Sequence, residues 1–200
     1  MLAQVARATA DRTPSAITRA ALQAELGYSW VSGPGRFRSA PVLLLDNQRR
    51  GDQVGVHVFA IFDAEAAGSL LVDLGWLRLP GDRRLPSVTV PPGRLILSGL
   101  LSPPPASGLA LGPDHVVSSP GTWLLGRVDV GQLRAALRTG LAPRVLRLDP
   151  TLPIGYPRDL DILPNTLPPE QHRGYAVQWF GLALAVLATS FFLGFRRKKP

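Results

Sequence analysis

The end of the chain constrains everything before it. From Tyr175 to Phe195 (YAVQWFGLALAVLATSFFLGF) no residue carries a charge, and Arg196, Arg197, Lys198 and Lys199 follow at once. About 20 residues of helix, at roughly 1.5 Å each, cross the hydrocarbon of a bilayer, and only a helix or closed barrel satisfies its backbone there. The run predicts a transmembrane helix in contact with the lipid bilayer. The alternative is the core helix of a soluble domain, but such helices rarely run this far without a charge. Tyr175 and Trp179 at one end and Phe195 at the other match interfacial aromatic belts, and the basic tail predicts a cytoplasmic C-terminus. The bulk of the chain then lies outside the cytoplasm: the periplasmic face of a cell inner membrane, or the intermembrane side of a mitochondrial one.

The residues before this helix are enough for one domain with a core. The net charge is +8, and half of that excess is the tail. What is left forms no basic stripe with interleaved aromatics, so no nucleic-acid partner is predicted. The chain has no cysteine, which removes disulfides, thiolate metal sites and a cysteine nucleophile. Twenty prolines and 20 glycines punctuate short apolar runs rather than filling a low-complexity tract.

Those runs predict a mainly β chain with some helix (α+β), folded as an antiparallel barrel or sandwich. Residues 1–27 read as helical, with Leu2, Val5, Ala6, Thr9 and Ala10 at helical spacing and a second segment capped by Thr13 and started by Pro14. Residues 28–148 read as the β-rich extracytoplasmic domain. Its strands are SWVSGPGRF, PVLLLDN, VGVHVFAIF, SLLVDLGWL, Ser87–Val90, Arg94–Leu100, Thr122–Val128 and Arg144–Leu148, with a helix over Val130–Leu137 capped by Asp129. Both alternating sets of VGVHVFAIF are apolar, which predicts a strand covered on both faces. Residues 149–170, with Pro150, Pro153, Pro157, Pro164, Pro168 and Pro169, read as an extended connector. Residues 171–195 form the membrane helix and 196–200 the basic tail.

The chemistry available is sparse. GxSxG, HExxH, GxxxxGK[ST] and CxxC are all missing from the sequence, and no enzyme is predicted. Asp46, Asp63 and Asp73 read as turn or surface positions. His57, mid-strand among valines, reads as a hydrogen-bonded strand residue, and His115 as a solvated loop residue beside Asp114, a pair without a nucleophile. His172 differs because it sits three residues before the uncharged run. If that helix starts near Pro169, then His172, Tyr175, Ala176, Trp179 and Ala183 share one face. An imidazole above aromatic and small residues at the membrane surface suits a flat apolar metalloporphyrin, with Arg173 available to a propionate. A plain interfacial polar residue is the competing reading.

Motifs along nearly the whole chain are similar to one family. HRGYAVQWFGLA, with His172, Tyr175, Ala176, Trp179 and Phe180, looks like a histidine, a Tyr-Ala step and a Trp-Phe pair opening a last membrane helix. VDLGWL supplies a strand ending in Gly75 and Trp76, with a Gly-x-Phe strand (Gly35, Phe37) and a Gly-Val strand (Gly55, Val56) before it and a Gly strand (Gly99) after it, in the family's order. In these respects the chain resembles the surfeit locus proteins, which assist assembly of haem-copper cytochrome c oxidase. It departs from them where Glu170 and Gln171 replace two asparagines, and where Asp73 and Leu74 replace an Asn-Arg pair before Gly-Trp. AQVAR, with Gln4 and Arg7, looks like the Gln-x-x-Arg that follows a first membrane helix in that family, which places Met1 just after an anchor missing from the sequence.

The resemblance implies a membrane-anchored, non-enzymatic chaperone that binds haem a or presents it for insertion into oxidase subunit I, with other assembly factors as further partners. It assigns the haem iron to His172, and the cofactor-binding set becomes His172, Arg173, Tyr175 and Trp179. Gly75 and Trp76 are read as a structural motif. The alternative reading is a membrane-tethered β scaffold that binds oxidase subunits without itself carrying haem.

Overall fold

The structure is a computed structural model that describes residues 8, 10–24, 27–81, 84–105, 115–119, 121–160 and 169–196. The chain divides into two units, Met1–Ile162 and Leu163–Pro200.

In the first unit the elements are β1 (Ser15–Ala16), α1 (Arg19–Gln23), β2 (Ser29–Phe37), β3 (Val42–Arg50), β4 (Gln53–Ala64), β5 (Gly68–Arg78), β6 (Arg94–Ser102), β7 (His115–Ser119), β8 (Thr122–Leu125), α2 (Val130–Leu137) and β9 (Leu141–Leu148). The strands form one sheet in the order β1-β2-β6-β9-β5-β4-β3-β8-β7, and β2 also pairs with β4. The pairings therefore return on themselves through β2, β6, β9, β5 and β4. At the return point Phe37 lies opposite Phe62, their rings edge to face with centroids 5.0 Å apart.

Strand β4 shows why this sheet holds together. Val56, Val58, Ala60 and Phe62 enter one core with Leu70, Val72 and Leu74 of β5, Leu97 and Leu101 of β6 and Leu146 and Leu148 of β9. Phe59 and Ile61 point the other way, into a second core with Leu43, Leu71, Val145 and, from α2, Val130 and Leu133. The period-two pattern thus has an apolar sink on each side, and the expected two-sided cover is borne out. Helix α2 spans the predicted residues. Asp129 caps it by accepting the Gln132 N–H at 3.0 Å, and Arg138 ends it in the left-handed conformation.

The N-terminal segment departs from its helical reading. Ser15 and Ala16 pair with Val31 and Ser32 of β2, the Ile17 N–H donates to the Ser32 carbonyl at 3.1 Å, and Ile17 is buried. Burying Ile17 against β2 outweighs the weak helical preference of this stretch. Only α1 is helical after it, and its cap is Thr18, not Thr13. Leu2, Val5, Ala6 and Thr9 of the predicted helical face, with all of residues 1–7, lie outside the described residues.

Ser87–Val90 forms no strand. Pro86, Pro91 and Pro92 flank it and remove ladder donors, while Val88 and Val90 still pack on the first core. β8 stops at Leu125, short of the predicted Val128. His115, read as a loop residue, opens β7 opposite Leu125; Asp114 lies outside the described residues.

Candidate functional site

Strand β5 carries the Gly-Trp pair on a bulge. Its ladder with β4 runs Trp76↔His57 and Gly75↔Val58, then slips so that Asp73 faces Phe59 and Leu74 is left without a partner in that ladder. Gly75 has φ +113°, and a Cβ there would lie 2.5 Å from the Tyr156 carbonyl oxygen. Glycine is required on both counts. The loop after β9 takes the place of the next strand: the Tyr156 N–H donates to the Leu74 carbonyl at 2.7 Å, and the Trp76 N–H to the Pro157 carbonyl at 2.9 Å.

Arg158 shapes that loop from inside. Its guanidinium donates to the carbonyls of Asp149, Leu152, Ile154 and Tyr156. Leu152, Ile154 and Tyr156 pack on the first core. The stretch from Asp149 to Arg158 is therefore a series of bends folded onto the sheet, not the extended connector its prolines predict. A fork of five N–H groups draws the backbone into a turn around itself. Burial holds the Arg158 pKa below its ordinary value, against the opposing influence of Asp149 and Asp73.

Asp73 sits at the centre of the bulge. It is buried, 7% exposed, where the sequence reading placed it in a turn or at the surface. Its Oδ1 accepts the Gly75 N–H at 2.9 Å and lies 3.2 Å from Nδ1 of His57, and Asp73 is paired with Arg147 in the ladder with β9. Burial alone raises the carboxyl pKa. The hydrogen bond and field of His57, the Arg147 charge and the Gly75 N–H outweigh it, so the pKa lies below the ordinary value. Trp76 completes the cluster: its Nε1–H donates to the Gln48 carbonyl at 3.0 Å, and its six-membered ring lies against Gly55.

The second unit contributes α3 (Pro169–Arg196), an unbroken helix whose Arg173–Leu193 stretch is long and apolar enough to cross a membrane. His172 lies in its first turn, and only its backbone is described. Helical spacing places His172, Tyr175, Ala176, Trp179 and Ala183 on one face. Arg173 is exposed, Tyr175 is 53% exposed and Trp179 70%. The residues read from the sequence thus fall into two groups on different units: Gly75 and Trp76 on the bulge, and His172, Arg173, Tyr175 and Trp179 on α3. His57 is the hydrogen-bonded strand residue it was read as. Sequence reasoning missed the roles of Asp73, Arg147 and Arg158. The one available signal was that Asp73 replaces the asparagine usual before Gly-Trp.

These features agree with a family assignment. The model of the SURF1 family matches residues 1–184, and the chain belongs to that family. It is a family of assembly factors linked to oxidase assembly, not a family of enzymes. No curated protein matches the chain.

Proposed function

We propose that this chain is a membrane-anchored assembly factor for haem-copper cytochrome c oxidase that holds haem a and presents it to subunit I. Support comes from family membership and from one feature of α3: helical spacing puts His172 in line with Tyr175 and Trp179, both exposed, on a face that continues into the apolar stretch. When bound, haem a supplies an iron whose axial position takes an imidazole. His172 occupies the first turn, where the helix leaves the headgroups. Tyr175 and Trp179 offer aromatic surface at the depth a porphyrin and its tail would occupy, and Arg173 offers a guanidinium to a propionate. The basic residues after α3 keep its C-terminus cytoplasmic and put the β unit and His172 on the opposite face, with the Gly-Trp bulge on the docking domain.

Full-length protein purified in detergent and loaded with haem tests the reading. His172→Ala should lose one equivalent of nitrogen-ligated haem per chain while keeping its fold. Undiminished haem in that variant, together with capture of oxidase subunits by the β unit alone, favours the scaffold role instead.

A further inference from the structure

A cleft on the β unit carries charges of both signs that do not pair. Its volume is about 300 Å³, at the lower end of the range for ligand sites, and it lies between the turn joining β3 to β4 and the chain leaving β5. Asp52, Gln53 and Val54 line it from the turn, and Arg78, Leu79 and Pro80 from the end of β5. The two stretches are tied together where the Leu79 N–H donates to the Val54 carbonyl at 3.1 Å. Gly51 and Asp52 make a two-residue turn, glycine first at φ +60°, closed by Arg50 opposite Gln53. Arg78 stands opposite Gly55, which has no side chain to lie against it.

Elsewhere on this unit Arg38 pairs with Asp63 and Arg94 with Glu65. Asp52 and Arg78 are exposed on one cleft, yet neither forms an ion pair or a side-chain hydrogen bond among the described residues. Between them lies apolar surface: Val54 is 38% exposed, and only Ile96 among the other described residues of this unit is an exposed large apolar side chain. A guest that satisfies both charges carries an anion and a cation on one short frame with an apolar part beside them. A phosphate joined to a primary ammonium fits, because the guanidinium donates to phosphate oxygens and the ammonium donates to a carboxylate. The position favours a lipid as its source. Arg50, at the base of the same turn, pairs with Asp159 at 3.4 Å, and α3 starts ten residues later at Pro169. Ten residues span at most about 35 Å, so the turn is tethered close to an element fit to cross a bilayer.

We propose that this cleft binds the headgroup of an ethanolamine phospholipid, with Arg78 on the phosphate, Asp52 on the ammonium, and Val54, Leu79 and Pro80 against the glycerol and the first acyl carbons. It is a peripheral contact rather than an anchor, and it stands or falls independently of His172.

The test titrates full-length protein in a maltoside detergent with dihexanoyl phosphatidylethanolamine and follows the amide resonances of Gln53, Val54, Leu79 and Gly81. The parent should show saturable shifts at these amides and weaker ones with the choline lipid, whose trimethylammonium has no N–H to donate. Arg78→Gln should weaken binding roughly tenfold, the loss expected for a charge-assisted hydrogen bond. Asp52→Asn should bind the two lipids equally. Both side chains are exposed, and an unchanged urea midpoint confirms that the variants fold. Glycerophosphoethanolamine separates a lipid from a free headgroup, and a zwitterionic dipeptide separates it from a protein terminus. Shifts of equal strength with either of these overturn the lipid assignment. So do an absence of shifts with the ethanolamine lipid, and shifts that persist unaltered in both variants.

Discussion

The six-membered ring of Trp76 and the Leu77 carbonyl fill the space that a side chain at Gly55 would need: a methyl group there would lie 2.2 Å from that carbonyl oxygen and 2.5 Å from both Cε2 and Cζ2 of the ring. The ring is held in place by the Nε1–H bond to the Gln48 carbonyl, so it has little room to withdraw. Gly55→Ala should therefore destabilise the β unit by about 1–3 kcal/mol, the usual cost of overpacking a filled site. Urea unfolding followed by Trp fluorescence measures it, and an unchanged midpoint would show that both the indole and the neighbouring strand yield freely.

Removing the Arg158 guanidinium should loosen the bulge at a distance. Arg158→Ala leaves the carbonyls of Asp149, Leu152, Ile154 and Tyr156 without their shared donor, at a cost of about 1.5–3 kcal/mol. Amide exchange at Tyr156 and Trp76 should speed up together, because both hydrogen-bond across the loop and bulge. Arg158→Lys should rescue little, since an ammonium lacks the planar fork. Unchanged exchange at both amides would mean that the loop holds its shape without Arg158.

Acid should act through Asp73 and Asp63, whose carboxyl pKa values both lie below the ordinary 3.8. At Asp63 burial is opposed and outweighed by the hydrogen bonds from Arg38 and Ser69. A folded pKa below the unfolded one gives stability that is present above the unfolded value and lost as pH falls through the folded one. Unfolding free energy should then be insensitive to these two groups near neutrality and decline below about pH 4. Asp73→Asn should flatten part of that decline. An equally steep decline in the variant would remove Asp73 from the explanation.

Membrane attachment should depend on α3 alone among the described elements. The full chain should resist alkaline carbonate extraction, and a chain ending at residue 160 should be released by it. Retention of the shortened chain in the extracted pellet would contradict the anchor role.

Much of the strand layout was legible because β4 and β5 carry period-two apolar patterns long enough to overrule other readings. Asp129 likewise marked the start of α2. The misreadings share a physical cause: the deciding contacts are remote in sequence. Ile17 is drawn into strand-like pairing by β2, and Ser87–Val90 is apolar enough for a strand but loses its donors to Pro86, Pro91 and Pro92. Gly75 and Trp76 were readable as a motif, but what the motif does was not. Asp73 is buried because a bulge turns it toward His57, and the loop for which Gly75 makes room returns from residues 156–157. Nor does the sequence show that one arginine, Arg158, gathers four carbonyls and turns a proline-rich stretch into a folded cover. On α3, by contrast, spacing alone places His172, Tyr175 and Trp179 on one face.

The most direct measurement is the haem a content of cytochrome oxidase subunit I in membranes from cells that lack this chain. Subunit I should still be made but carry less haem a, with oxidase activity falling in proportion; the full chain should restore both, and His172→Ala should not. Subunit I with its full complement of haem a in the absence of the chain would contradict a role in haem delivery.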